Sequence, residues 1–277
     1  MNPERYATDR QRLATALRHL RKAAAMTGSQ AAGSVGMSQP KISKLENGRL
    51  LPSVEDVRTL LTLYRAEAAQ RDDLLDLTAR LHTTVQSNQT ILRRGAARQQ
   101  IQIAQVEAEA VSLKYFSPIA MPGLLQTAEY ARRVFALDLT GTELTSAVAA
   151  RQQRQQALYK TEKKFTFVLT EAVLRWGFCP EEVMAAQIGH LTSIATLTNV
   201  EIGLIPFTSR PKDLPLHGYQ IFEDRLVTIS LEHATISVTE PRDIATYLTL
   251  FSTMSEAAEF GEAARARLAA IGREYQS

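Results

Sequence analysis

At 277 residues the chain can bury a sizeable core and, at roughly 100–200 residues per domain, can form two domains. With 45% apolar and 22% charged residues, 13 Gly and 10 Pro, it fits a folded globular protein and excludes collagen-like or disordered chains. The net charge of +3 hides an asymmetry: residues 1–70 hold eleven Lys and Arg against six Asp and Glu, and residues 71–277 hold twenty-one against twenty-three. Residues 1–50 are sharper still, nine against three, and a basic end suggests a polyanionic partner, although a solvated face carries such runs too. No run reaches the ~18 apolar residues of a membrane span, and the opening MNPERYATDRQR has no apolar segment after its charges. Neither membrane anchoring nor secretion is therefore expected. The single cysteine, Cys179, forbids an internal disulfide and a thiolate metal cluster, and reads as a small buried hydrophobe in a cytoplasmic protein.

Thr8 and Gln11 have the spacing of a capping box, and Leu13, Leu17, Leu20 and Ala24 follow as one apolar stripe, predicting a helix over 9–25. Thr27 and Gln30 repeat that spacing before a short Ala31, Ala32, Val35 face, which Gly36 ends. Ser38 is a good N-cap and Pro40 falls in a first turn, where a missing N–H costs nothing. With Ile42 and Leu45 pointing inward and Asn47-Gly48 as a stop, a third helix is predicted over 39–47. Ser53 caps a fourth, with Asp56 in its first turn and Val54, Val57, Leu60, Leu61 and Tyr64 apolar. Leu74, Leu75, Leu77 and Leu81 within 66–82 supply a fifth, closing a predicted domain over 1–82.

Two short helices joined by a tight Gly-containing turn, in a basic segment, form a helix-turn-helix whose second helix can enter a major groove. The run from Met26 to Gly48, MTGSQAAGSVGMSQPKISKLENG, resembles the DNA-binding domain of the Xre and lambdoid phage repressor family, over residues 10–65. That resemblance implies a structural ion pair between the first helix and the glutamate of the ENG motif, here Arg21 and Glu46. The physics agrees, since a buried charge is tolerated when paired and hydrogen-bonded. On the third helix Gln39, Pro40, Ser43 and Lys44 form the outward set and are the base-reading candidates. Gln can pair with adenine, Lys can reach guanine O6 and N7, and Pro can touch a thymine methyl. Ser38, Lys41 and Arg49 are phosphate candidates, which fix register without reading sequence. Family members often place a DNA-contacting Gln at the start of the second helix; here that position is Gly28. Either Ser29 or Gln30 substitutes for it at the phosphates, or the contact is absent.

The polar segment 83–98, TTVQSNQTILRRGAAR, reads as a linker, and 99–277 as a second domain. Gln99–Leu113 has helical spacing, Tyr115–Ile119 is extended, and helix resumes at Thr127. Thr140 and Glu143 repeat the capping-box spacing before a helix whose outer face is RQQRQQ. The character then becomes mixed. Strands are predicted at 165–169, 200–205, 218–222, 226–231 and 234–238, with a hairpin turn at Glu223-Asp224-Arg225 and helices at 171–176, at 180–197 and from Pro241 onward. The fold class is therefore mainly α, a five-helix helix-turn-helix domain followed by a mixed α/β domain. The runs FSPIAMPGLLQTAEYARRV, RQQRQQAL, LTEAVLRWG, QIGHL, GLIPF and HGYQIFED look like a domain of unknown function that habitually follows an Xre-type helix-turn-helix in actinobacterial regulators. Its members are often encoded beside a small partner protein. The resemblance spans residues 100–260 and brings no catalytic residues.

The five histidines, His19, His82, His190, His217 and His233, show no metal-ligand spacing, and neither a phosphate loop nor a nucleophile elbow is present. No cofactor and no metal are expected. Glu232-His233 with Ser230 or Ser237 is the nearest approach to a catalytic set, and it carries no motif. Trp176 and Phe178 line a pocket or, as aromatics more often do, fill a core. The resulting expectation is a cytoplasmic, sequence-specific transcriptional regulator that binds double-stranded DNA as a homodimer and answers to a small partner protein or small-molecule effector. It is not expected to be an enzyme. The alternatives are a scaffold that holds a small partner with weak or nonspecific DNA affinity, which Gly28 mildly favours, and an enzyme in the second domain.

Overall fold

The computed structural model describes residues 3–87, 96–231 and 234–276. Its contacts group the chain into two compact units, Met1–Val85 with Ile236–Asp243, and Gln86–Thr235 with Ile244–Ser277. Of the segment 83–98 read as a linker, Thr83–Ser87 form strand β1 and Ala96 opens a helix; residues 88–95 lie outside the described residues, as do Glu232 and His233.

The first unit holds five helices: α1 (Pro3–Ala23), α2 (Gly28–Ser34), α3 (Gln39–Glu46), α4 (Val54–Leu63) and α5 (Ala68–His82). Their inner faces meet in one core that includes Leu13, Leu17, Ala31, Ile42, Leu45 and Leu61. The capping signals at Thr27, Ser38 and Ser53 all close as bonds: Thr27 and Ser53 form complete capping boxes with Gln30 and Asp56, and Ser38 accepts from the Lys41 N–H. The box predicted at Thr8 does not form an N-terminus. Helix α1 begins at Pro3, whose fixed φ suits a first turn, so Thr8 already lies inside the helix.

Residues Ile236–Asp243, far along the chain, belong to this unit. The Thr239 N–H donates to the His82 carbonyl at 3.0 Å, and the Glu240 carboxylate accepts from the Val54 N–H at 3.1 Å, in the first turn of α4. His82, 5% exposed, places Nε2 2.8 Å from the Pro52 carbonyl and Nδ1 2.9 Å from the Thr239 hydroxyl. A carboxylate beside free N–H groups at a helix start is favourable on both hydrogen-bond and dipole grounds.

The second unit contains α6 (Ala96–Glu109), β2 (Ser112–Ser117), α7 (Ala128–Phe135), α8 (Gly141–Gln155) with a 3-10 turn at Gln156–Tyr159, β3 (Lys164–Thr170), α9 (Ala172–Arg175) and α10 (Glu181–Ile194). Next come β4 (Val200–Ile205), β5 (Tyr219–Phe222), β6 (Leu226–Ser230) and β7 (Ala234–Val238), then α11 (Pro241–Glu256) and α12 (Gly261–Glu274), except that residues 236–238 of β7 and 241–243 of α11 group with the first unit. Five strands run in the order β6-β5-β2-β3-β4. Strands β2, β3 and β4 are parallel, with Tyr115 opposite Phe167 and Phe167 opposite Ile202. Strand β5 pairs antiparallel with both β2 and β6, the second through the expected turn at 223–225. Parallel neighbours need long crossovers, and helices α7 to α10 supply them. The sheet and helices enclose a core around Phe165, Phe167, Leu169, Leu174, Leu191 and Leu268.

Four expectations need correction. Helix α6 stops at Glu109, and Leu113 is a β2 residue, because SLKYFS gains strand partners on both sides. Thr140 precedes α8 but makes no side-chain cap. The RQQRQQ stretch is only partly an outer face: Gln152, Gln153 and Gln156 are exposed, but Arg151 and Arg154 are 9% and 7% exposed, because α6 packs on α8 and brings Gln100 and Glu107 to them. Trp176 and Phe178 are not core residues, at 67% and 37% exposure; α9 ends at Arg175 and leaves Trp176 outside the packed layer.

Gly203, in the middle of β4, shows why side-chain volume matters here. A Cβ at that position would stand 2.5 Å from Cζ of the Phe260 ring, which rests directly on the strand. Gly203→Ala is expected to destabilise the chain by about 1–3 kcal/mol, as overpacking does, read as a lower midpoint in urea. An unchanged midpoint would mean that the ring moves aside without cost.

Candidate nucleic-acid interface

The geometry of the interface starts at two caps. Thr27 accepts the Gln30 N–H and donates its own N–H to Gln30 Oε1 at 2.8 Å, fixing the start of α2. Gly36 then adopts φ +67, the left-handed conformation that a side chain would disfavour, and turns the chain into α3. Helix α3 opens at Ser38 with Pro40 in its first turn and ends at Asn47, whose side-chain amide donates to the Ser43 carbonyl at 2.8 Å. The sequence marks Asn47 as a stop. Its second role, closing the last turn of α3, follows from the same Asn-Gly signal.

Seating of α3 rests on a fork. Arg21 on α1 donates from Nε to Glu46 Oε1 at 2.6 Å and from Nη2 to Glu46 Oε2 at 2.7 Å, and its Nη1 donates to the Met26 carbonyl at 2.7 Å. The side chains are 13% and 9% exposed. Two parallel bonds between planar groups fix direction as well as distance. The hydrogen bond that Arg21 donates to Glu46 holds its guanidinium above its usual pKa. Tyr64 packs beside this pair, and burial pushes its hydroxyl up to about 12.

With Ile42, Leu45 and Glu46 buried, the opposite face of α3 is left to solvent. Gln39, Pro40 and Lys44 are exposed and Ser43 is half-buried beside Asn47. The Gln39 amide nitrogen lies 3.8 Å from where a Gly28 Cβ would stand, so Gln39 occupies the neighbourhood of the departure at Gly28. Among the phosphate candidates, Ser29, Gln30, Ser38 and Arg49 are exposed. Gln30 uses its carbonyl oxygen in the capping box and keeps its amide N–H groups. Lys41 differs from the rest: its ammonium donates to Asp56 Oδ1 at 2.9 Å, the same carboxylate that completes the α4 capping box. No sequence spacing announces that pair, which links residues fifteen apart on α3 and α4.

Residues 100–270 match the family described as Domain of unknown function (DUF5753), and residues 12–74 match a helix-turn-helix domain. The chain belongs to the DUF5753 family. Its first unit carries the helix-turn-helix whose outer face is described above, and its second unit carries most of the DUF5753 domain. No curated protein matches the chain. Among solved structures, TrmBL2, an archaeal chromatin protein, is 14% identical, with 84% of this chain and 87% of that one covered at a TM-score of 0.34. NucT from Helicobacter pylori is 10% identical over 64% and 96%, at 0.37. Nuc from Salmonella typhimurium, a phospholipase D family member, is 10% identical over 65% and 98%, at 0.33. Among the described residues, no group of three or more His, Cys, Asp and Glu is arranged to hold a metal, and no helix is long and apolar enough to cross a membrane.

Removing one arm of the Arg21–Glu46 fork strands a mostly buried charge. Glu46→Ala is expected to cost about 3 kcal/mol of stability, measured by chemical denaturation. Replacing both arms, as Arg21→Met with Glu46→Leu, should recover much of that loss but not all, because the Met26 carbonyl then loses its Arg21 donor. A double variant no better than Glu46→Ala would show that the fork acts through its shape rather than its charge.

Proposed function

We propose that the chain is a sequence-specific transcriptional regulator that reads double-stranded DNA with α3, and that the DUF5753 domain modulates it. The observation that carries this reading is the exposed polar face of α3. Gln39 and Lys44 have side chains suited to adenine and guanine edges, with Pro40 and Ser43 between them, on a helix whose other face is fixed by the Arg21–Glu46 fork. Around it, Ser29, Gln30, Ser38 and Arg49 supply donors for phosphate oxygens. Lys41 joins them by exchanging Asp56 for a phosphate.

The helix-turn-helix match and the basic balance of residues 1–70 support DNA as the partner. Regulators of this geometry act as two-fold dimers on half-sites about one helical turn apart, and this chain is proposed to do the same in the cytoplasm. A partner protein or a small molecule acting on the DUF5753 domain would alter the affinity or spacing of the two reading heads. The second unit is assigned a sensing or pairing role, not a catalytic one.

Fluorescence anisotropy on the DNA upstream of the protein's own coding sequence, and on a scrambled copy, at several salt concentrations tests the reading. Tight binding to the native sequence alone supports it; equal, weak, strongly salt-dependent binding to both sinks it and favours a scaffold. Lys44→Ala is expected to weaken specific binding by about 1–3 kcal/mol and to leave the melting curve unchanged. An unchanged affinity for the native site would remove Lys44 from the reading face.

A further inference from the structure

Within the DUF5753 domain, Arg151 and Arg154 stand one turn apart on α8, and both are buried. Arg154 donates from Nε to Glu107 Oε2 at 2.8 Å and from Nη1 to Gln100 Oε1 at 2.8 Å. Arg151 has only neutral partners among the described residues: Gln126 Oε1 at 2.5 Å, Gln100 Oε1 at 3.3 Å, and the face of Phe135, with the guanidinium carbon 3.9 Å from the ring centroid. Lys163, 6% exposed, adds a third buried cation, and its ammonium donates to the carbonyls of Glu107, Ala108 and Ala110 at the end of α6. Among the described residues, Arg154 and Lys163 therefore share one buried carboxylate, Glu107, and Arg151 stands beside them without one. Amide oxygens, a ring face and a helix end soften the excess charge without cancelling it. Burial and the charge of Arg154 pull the Arg151 pKa down to about 9, as for a cation that lacks a counter-ion.

Beside this cluster lies a cleft of about 490 Å³ between α6 and the α8 segment with its 3-10 turn. That volume lies within the range of small-molecule sites, ~300–1,000 Å³. Its buried floor includes Arg154, Gln100 and Lys163; its walls include Ala104, Ala108 and Ala157; Lys160 is exposed at its rim. Glu107 also lines it, but one carboxylate oxygen is held by Arg154 and the other is shut away from solvent without a partner. With Arg154, Lys160 and Lys163 against the single carboxylate of Glu107, the charge of the lining is net positive, and the surface around it includes small apolar alanines.

We propose that this cleft binds a small organic anion, with its carboxylate, phosphate or sulfonate group held by Arg154 and Lys160 and its apolar body lying against the alanine walls. Such a molecule is what a net positive, alanine-walled cleft of this size can hold and what water alone satisfies poorly. The proposal concerns binding in the second unit and stands whether or not α3 reads DNA.

The test uses the full-length chain and 8-anilinonaphthalene-1-sulfonate, a fluorescent dye with an apolar body and one sulfonate, against N-phenyl-1-naphthylamine, the same body without the charge. The sulfonate dye is expected to bind one per chain, about tenfold tighter than the neutral dye. Lys160→Glu and Ala108→Trp, both at exposed positions, are each expected to weaken the sulfonate dye about tenfold with unchanged melting curves. Displacement of the dye by benzoate or by phenyl phosphate supports the site, and the stronger competitor names the head group. Equal binding of the two dyes, full dye binding by both variants, or displacement by neither competitor overturns the proposal. All of these readouts omit DNA, so their failure is distinct from failure of the regulator reading.

Discussion

A charge removed from water must be met inside the fold, and the two units meet that demand in different ways. In the first, Arg21 and Glu46 face each other as planar groups in a two-bond fork, with Met26 taking the remaining donor. Breaking such a pair costs about 3–5 kcal/mol, a large share of the stability of a small domain. The pair also spans α1 and α3, so the same bonds that avoid a stranded charge decide which face of α3 turns outward. Everything read as an interface on that helix depends on this seating. In the second unit the demand is only partly met, since Arg151 is left with amides and a ring.

How far the architecture can be read from the sequence depends on the distance over which its causes act. Caps are local: Thr27, Ser38 and Ser53 each need a partner only three residues away, and each forms its bond. The apolar stripes of α1 and α4 are equally local, and the strand runs at 165–169, 200–205 and 219–222 lie where alternation and β-branched residues put them. Thr8 shows the limit of the same rule. Its spacing to Gln11 is that of a capping box, but spacing alone cannot exclude an earlier start, and Pro3 provides one.

Partners far along the chain left no such trace. The RQQRQQ stretch has the composition of a solvated face, and nothing within a few turns of it says that Glu107 and Gln100, 47 and 54 residues from Arg154, cover its second arginine. Glu240 reaches the start of α4 from 186 residues away, and Thr239 reaches His82 from 157. Trp176 errs in the opposite sense: a large aromatic after an apolar helix resembles core, and it is exposed because α9 stops one residue too soon. The outward face of α3 was legible because helix periodicity fixes it. The buried cations beside the second-unit cleft were not, because burial there is a property of α6 packing on α8 and not of either segment.

Under the proposed function, Lys41 would serve the fold and the interface with one side chain. Its bond to Asp56 is partly exposed, and pairs of that kind are worth no more than about 1 kcal/mol. A phosphate oxygen offers the ammonium a comparable hydrogen bond with more charge and releases counter-ions from the DNA as it does so. The exchange leaves Asp56 at the start of α4, where the Ser53 N–H and the helix dipole still stabilise its charge. Asp56 is thus satisfied with or without Lys41. That independence lets a residue half-committed to the fold turn outward at little cost, whereas Arg21, held by three bonds and mostly buried, cannot do so.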